Sequence, residues 1–242
     1  MDIKTKGIIL QATKYGERSL ILKIYTENKG LQSFIIKNAF SIQSKKAKNA
    51  LYQPLNLVNI DYLHKENATI HYFKEINISY QYKTLPYQIE KSSIGLFMCE
   101  LLINCLRIEQ QEQNLFDFVY HSLEFLDTYE DKISNFHLHF AMQLTHFLGF
   151  FPKDNYTELN PYFDMIDGTY MSMQPIHKCS IDSNLTPMFD IITRKNIIEI
   201  CQLTITNNIR KELLNKIIEY YSIHIPNFYK MQSIEVLQEV FA

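Results

Sequence analysis

Lysine, arginine and aromatic residues interleave along the first 52 residues of this 242-residue chain. Lys4, Lys6, Lys14, Arg18, Lys23, Lys29, Lys37, Lys45, Lys46 and Lys48 lie among Tyr15, Tyr25, Phe34, Phe40 and Tyr52. That combination suits a nucleic-acid strand. Cations neutralise phosphates, and flat rings stack on bases, each stacked base being worth about 1–3 kcal/mol. The residues expected to carry this chemistry are Lys6, Lys14, Tyr15, Arg18, Lys23, Tyr25, Lys37, Lys45, Lys46 and Lys48. Phe34 shares a strand face with Ile36 and is expected in a core. Tyr15 and Tyr25 suit packing and stacking equally.

Other chemistries lack their residues. Neither G-x-x-x-x-G-K-[ST] nor G-x-G-x-x-G occurs, and the chain has only 6 glycines, so no nucleotide-binding loop is expected. No G-x-S-x-G elbow occurs. The carboxylates at Asp164/Asp167 and Glu130/Asp131 sit in turns and read as solvated acids. His137 and His139 are two apart, so on a helix they point to different faces and cannot chelate together. His177 and Cys179 offer two ligands where a structural zinc site wants four. Catalysis is not expected. The cysteines, Cys99, Cys105, Cys179 and Cys201, are scattered and read as reduced thiols. No apolar run approaches the ~18 residues of a membrane span. The opening Met-Asp-Ile-Lys-Thr-Lys has no apolar signal core, so the chain is expected in the cytoplasm with no membrane partner.

The basic residues belong to strands. Gly7–Thr13, Ser19–Thr26 and Leu31–Lys37 are apolar and β-branched runs, separated by turns at Gly16 and at Asn28-Lys29-Gly30. Such runs between such turns predict hairpins. In the second run Leu20, Leu22 and Ile24 point one way and Ile21, Lys23 and Tyr25 the other, because successive strand side chains alternate. A fourth strand is expected over 55–63 and a fifth over 69–79, with a lysine-bearing loop after the third. Five strands with that loop fit an OB-fold; an SH3-like barrel gives nearly the same pattern.

Near Leu85-Pro86 the period changes to that of helices. Helices are expected from Ile94, after Asn114, over 135–148 (closed by Gly149 and Pro152), from Thr186-Pro187 toward Cys201, after Asn207 or Asn208, and over 233–241. Residues 150–185 read as an irregular insertion. The predicted layout is α+β: an OB-fold barrel over 1–84 and a helical domain over 85–242. Residues 1–84 carry 13 Lys+Arg against 6 Asp+Glu, whereas 85–242 carry 11 against 20. The asymmetry suggests a polyanion partner for the first part and protein partners for the second.

The opening Lys6-Gly-Ile-Ile-Leu, then Lys14-Tyr-Gly-Glu, then Tyr25-Thr-Glu-Asn-Lys-Gly-Leu resembles the N-terminal domain of the RecO family. Phe97-Met-Cys-Glu-Leu-Leu, His146-Phe-Leu-Gly-Phe-Phe-Pro, Glu219-Tyr-Tyr-Ser-Ile-His-Ile and Val236-Leu-Gln-Glu-Val-Phe continue the resemblance in order to the end of the chain. It implies a non-catalytic DNA repair and recombination mediator. Such a protein binds single- and double-stranded DNA, anneals complementary strands, acts with RecR, engages the C-terminal tail of the single-strand-binding protein and helps load RecA. Some relatives carry a four-cysteine zinc site in the segment matching 150–185. This chain keeps only Cys179 there, so no cofactor is expected. An acidic-apolar tail calls for a basic-rimmed groove among the helices, with Arg107, Arg194, Lys195, Arg210 and Lys211 as its expected rim. The rival reading is an SH3-like interaction module with no DNA role.

Overall fold

The computed structural model describes residues 1–39, 50–66, 68–106 and 112–241. Lys45, Lys46, Lys48 and Arg107 lie outside the described residues. The chain forms two compact units, Met1–Thr128 and Tyr129–Ala242. The switch from strand to helix near residue 84 is thus a change of element inside the first unit.

The first unit is built on five antiparallel strands: β1 (Asp2–Tyr15), β2 (Ser19–Thr26), β3 (Gly30–Ile36), β4 (Leu57–Leu63) and β5 (Phe73–Tyr80). Their order is β3-β2-β1-β4-β5. β4 returns to pair with β1 instead of β3, so the spatial order 4-1-2-3 is a Greek key. Residues just before β5 close the barrel. The Ile35 amide donates to the His71 carbonyl at 3.0 Å and the His71 amide to the Ser33 carbonyl at 2.8 Å, a parallel bridge opposite Phe34. This is the OB-fold, a five-stranded, partly open Greek-key barrel. A sequential meander would have paired β3 with β4, and the order excludes it.

The barrel core follows the alternation read from sequence. Ile3, Ile9, Leu22, Ile24, Phe34, Val58, Ile60 and Tyr62 are buried together, with Leu20, Ile36 and Phe73 packed against them. Phe73 stacks on Phe34 at 4.5 Å between centroids. Two helices complete the unit, α1 (Ile89–Cys105) and α2 (Gln113–Thr128). α1 packs against β1. Gly95 lets it lie close to Leu55, since a Cβ there would fall 2.8 Å from that side chain.

The second unit contains α3 (Phe136–Leu148), β6 (Tyr162–Asp164), β7 (Thr169–Met171), β8 (Ser180–Ile181), α4 (Thr186–Arg194), α5 (Ile197–Gln202), α6 (Asn207–His224) and α7 (Ser233–Val240). α3 packs against α4, α5 and α6. It ends at Gly149 in the left-handed region, φ 84°, a conformation glycine adopts without steric cost. The helix expected from Thr186 to Cys201 is two helices. Asn196 and Glu199 form a capping box that starts α5 afresh. The cap of α6 is Thr206, whose hydroxyl accepts from the Ile209 amide at 3.4 Å, and not an asparagine.

The segment expected to be irregular holds a small antiparallel sheet of order β7-β6-β8. Aromatic packing secures it. Phe163 lies 4.9 Å from Tyr170, 4.8 Å from Phe189 and 5.6 Å from Tyr220. Phe150 stacks on His224 at 4.9 Å, and the Tyr220 hydroxyl donates to the Phe150 carbonyl.

Candidate nucleic-acid interface

A bulge in β1 decides which residues the barrel presents. The β1–β2 register runs evenly from Gly7↔Thr26 to Ile9↔Ile24, shifts between Ile9 and Gln11, then resumes as Gln11↔Lys23, Thr13↔Ile21 and Tyr15↔Ser19. One extra residue, Leu10, moves the odd-numbered positions from the inner to the outer side. Before the bulge the outer face is covered: Ile8, Tyr25 and Leu31 are buried. Beyond it the outer face carries Gln11, Thr13 and Tyr15 of β1, Ile21 and Lys23 of β2, and Ser33 and Ile35 of β3. Tyr15 is 58% exposed. Arg18 is exposed in the β1–β2 turn, and Lys37 is exposed just past β3, on the side opposite the inward Ile36.

A side chain not singled out by the sequence reading joins this face. Tyr72 is 54% exposed, and Lys37 Nζ sits 5.3 Å from its ring centroid. Its neighbour His71 is buried, points inward, and pairs through Nε2 with Gln32 Oε1 at 3.1 Å. The fifth strand expected over 69–79 includes Tyr72, whereas β5 begins at Phe73.

Several expected members fall elsewhere. Tyr25 is no stacking platform. Only 1% of it is exposed, its ring packs 5.7 Å from Phe116 of α2, and its hydroxyl donates to the Glu112 carbonyl at 3.4 Å. The helical cover on that half of the outer face is a tertiary fact that strand alternation does not contain. Lys6 is exposed on the outer face of β1 beside β4, opposite Asn59. Its Nζ lies 5.2 Å from the Tyr120 centroid. With Lys4 it lines a 410 Å³ hollow that also contains Glu27, Asp61 and Glu75. That mixed charge does not suit a phosphate backbone. Lys14 is opposite Leu20, so it faces the other side of the hairpin tip from Tyr15.

The expected basic rim among the helices also separates. Arg210 is only 9% exposed. It donates to Asn135 Oδ1 at 3.1 Å, to the Ile205 carbonyl at 2.9 Å and to Asn207 Oδ1 at 2.7 Å. Asn135 in turn donates to the Ile200 and Leu203 carbonyls at 3.0 and 2.9 Å. Arg210 therefore holds the start of α3, the exit of α5 and the start of α6 together, and is not a rim residue. Truncating it orphans the Asn135 and Ile205 acceptors. Arg210→Ala is expected to cost about 2 kcal/mol in urea unfolding, and an unchanged midpoint would refute this role. Arg194 pairs with Asp154 and Asp190 at 2.5 and 2.7 Å, and Lys195 with Glu199 at 2.6 Å. Lys211 lines a small hollow with His137, Leu214, Leu237 and Phe241.

The segment matching the family's zinc region does not fit the ion. Cys179 is its sole cysteine. His177 Nε2 is 3.2 Å from Asp164 Oδ2. Asp164 Oδ1 also accepts the Ile166 and Asp167 amides at 2.8 and 3.2 Å. Among the described residues no group of three or more His, Cys, Asp or Glu is arranged to hold a metal ion. No helix among them is long and apolar enough to cross a membrane.

These features define an OB-fold protein whose outer β1–β2–β3 face, past the bulge, carries lysine, arginine and tyrosine, continued by a helical region. Comparison with known proteins narrows the class. A family model described as Recombination protein O N terminal matches residues 1–82, and one described as Recombination protein O C terminal matches residues 86–156. Relatives named DNA repair protein RecO include that of Flavobacterium psychrophilum, 36% identical over the whole of both chains. Another, from Bacteroides fragilis, is 34% identical over 98% of each chain. The chain belongs to the RecO family, and its role is in DNA repair and recombination.

Proposed function

We propose that this protein is a non-catalytic recombination mediator. It binds single- and double-stranded DNA, promotes annealing of complementary strands and helps load RecA onto DNA coated by the single-strand-binding protein. The observation that carries the DNA-binding reading is the placement of Tyr15, Lys23 and Lys37 on one outer face of β1–β2–β3, with Arg18 at its edge. In OB-folds the strand 2–3 face and the adjoining loops bind oligonucleotides. Lys45, Lys46 and Lys48, which follow β3 in the sequence, are assigned to the same DNA. Contacts to phosphate are indifferent to sequence and release counterions, so affinity falls steeply with salt.

The helical region is assigned to RecR, RecA and the tail of the single-strand-binding protein. Lys211, which lines a hollow with the apolar Leu214, Leu237 and Phe241, is the basic residue best suited to an acidic-apolar tail. Arg194 and Lys195 would have to give up ion pairs to contribute. No zinc or other cofactor is assigned, since Cys179 stands alone and His177 is engaged by Asp164.

The test is fluorescence anisotropy of a labelled single-stranded oligonucleotide, titrated with the whole protein at several salt concentrations. Lys23→Glu/Lys37→Glu is expected to weaken binding about tenfold or more. It also lowers the salt slope by about 1.4, at roughly 0.7 per lost phosphate contact on single strands. Reversal of Lys45, Lys46 and Lys48 is expected to act in the same direction. Absence of binding by the wild type at low salt would remove the DNA role and leave an interaction module.

A further inference from the structure

The closure of the barrel anchors the backbone beside one exposed ring of this face. His71, next to Tyr72, is tied to β3 by both backbone bonds, Ile35 to its carbonyl at 3.0 Å and its own amide to Ser33 at 2.8 Å. Its imidazole is plugged into the barrel, 2% exposed, beside Gln32, Phe34 and Tyr62. Tyr72 therefore projects outward from an anchored backbone, 54% exposed, in a place where side-chain alternation allows it no inward packing. An exposed ring held in position loses little freedom when a ligand stacks on it.

Lys37 Nζ lies over that ring, 5.3 Å from its centroid. A lysine ammonium on a flexible stem is a weak, replaceable cover for an exposed ring. A flat base gains more from the ring than the ammonium does, and Lys37 can then move to the phosphate adjoining that base.

We propose that Lys37 and Tyr72 form a nucleotide subsite selective for single strands, with Tyr72 stacking one unpaired base and Lys37 holding its phosphate. The proposal rests on the DNA-binding reading above and assigns its substrate class. A duplex keeps its bases stacked on one another and offers Tyr72 nothing to stack on, whereas its phosphates remain available to Lys37 and Lys23. Stacking on an aromatic ring tolerates every base, so the selectivity is for strandedness and not for sequence.

The test uses the full chain with a labelled oligothymidylate and a duplex of equal length, titrated at two salt concentrations. Tyr72→Ala is expected to weaken single-strand binding about 5- to 150-fold, leaving the salt slope and duplex affinity unchanged. Tyr72→Phe keeps the ring and is expected to bind within about twofold of wild type; it also controls for folding. Lys37→Met is expected to lower the single-strand salt slope by about 0.7. Wild-type binding with an unaffected Tyr72→Ala, or an equal loss on both DNA forms, would overturn the subsite and leave the DNA-binding reading standing. A wild type that binds neither form would overturn that reading itself, and the subsite with it.

Discussion

Lowering the pH from 7 to 5 is expected to cost the second unit about 4 kcal/mol of stability. The cause is a pair of histidines two positions apart on α3. Burial, with the Arg210 charge adding to it, pushes His137 down to about 3 from an ordinary 6.5. Burial pushes His139 down to about 4, against a hydrogen bond to the Ile192 backbone that favours the charged form. The sign follows from which state takes the proton. Below 6.5 the unfolded chain protonates both imidazoles, while the folded unit accepts neither until the pH nears 4. Stability is therefore complete above about 6.5 and falls as the pH drops toward 4. The slope is about 1.4 kcal/mol per pH unit for each histidine. Urea unfolding followed by far-UV circular dichroism at a series of pH values measures it. His137→Gln/His139→Gln lowers stability at pH 7 but should flatten the pH dependence between 7 and 5. A double variant that keeps the wild-type slope would show that other groups carry the effect.

These histidines mark how far the sequence could be read. Their spacing showed that they lie on different faces of one helix, and the structure sets His137 near Phe241 and His139 near Ile192. That His137 is buried, His139 half-buried and both neutral depends on what packs against α3, and local spacing is silent on it. The barrel was legible for the opposite reason. Its strands are local runs between glycine turns, and Leu20, Leu22 and Ile24 alternate inward as their period demands. The Greek-key pairing of β4 with β1 was not legible, because strand count is the same in either barrel. On the candidate face, Lys23 was legible because its parity within β2 suffices, whereas Tyr15 faces outward only because the bulge at Leu10 reverses the parity of β1. Tyr25 shares the parity of Lys23 and yet is buried, since the bulge at Leu10 divides the outer face into a covered and an open half. Arg210 looked like a surface cation because nothing in its helix announces the asparagines at 135 and 207 that receive it. The small sheet at 162–181 has strands of two or three residues, too short for a period to show.

Asp127→Ala is expected to cost the first unit about 4 kcal/mol, the largest single-residue effect anticipated in this protein. Asp127 ends α2 fully buried, and its carboxylate organises the turn by which β5 passes to α1. Oδ1 accepts the amides of Lys83, Thr84 and Leu85 at 3.0, 2.8 and 2.8 Å, and Oδ2 accepts the Tyr80 hydroxyl at 3.1 Å. The main-chain carbonyl of Asp127 accepts from Thr84 Oγ1 and from the buried Lys91 Nζ. Burial raises the cost of charging this carboxyl, but the donated amides outweigh it and hold it below the usual carboxylate range. Its contribution is therefore complete above pH 3.8 and is lost only as the pH falls through the depressed value. Alanine would leave three backbone N–H groups without their acceptor in a site that water does not reach, at about 1–3 kcal/mol for each group that finds no substitute. The milder Asp127→Asn retains one acceptor oxygen and should lose about half as much. Urea unfolding gives the magnitude, and hydrogen exchange gives the place. The amides of Lys83, Thr84 and Leu85 should lose protection in Asp127→Ala while those of β1 and β2 keep theirs under native conditions. Uniform loss across the unit would mean that Asp127 stabilises the fold without specifically holding this turn. Retained protection at the three amides would mean that the carboxylate does not hold it at all.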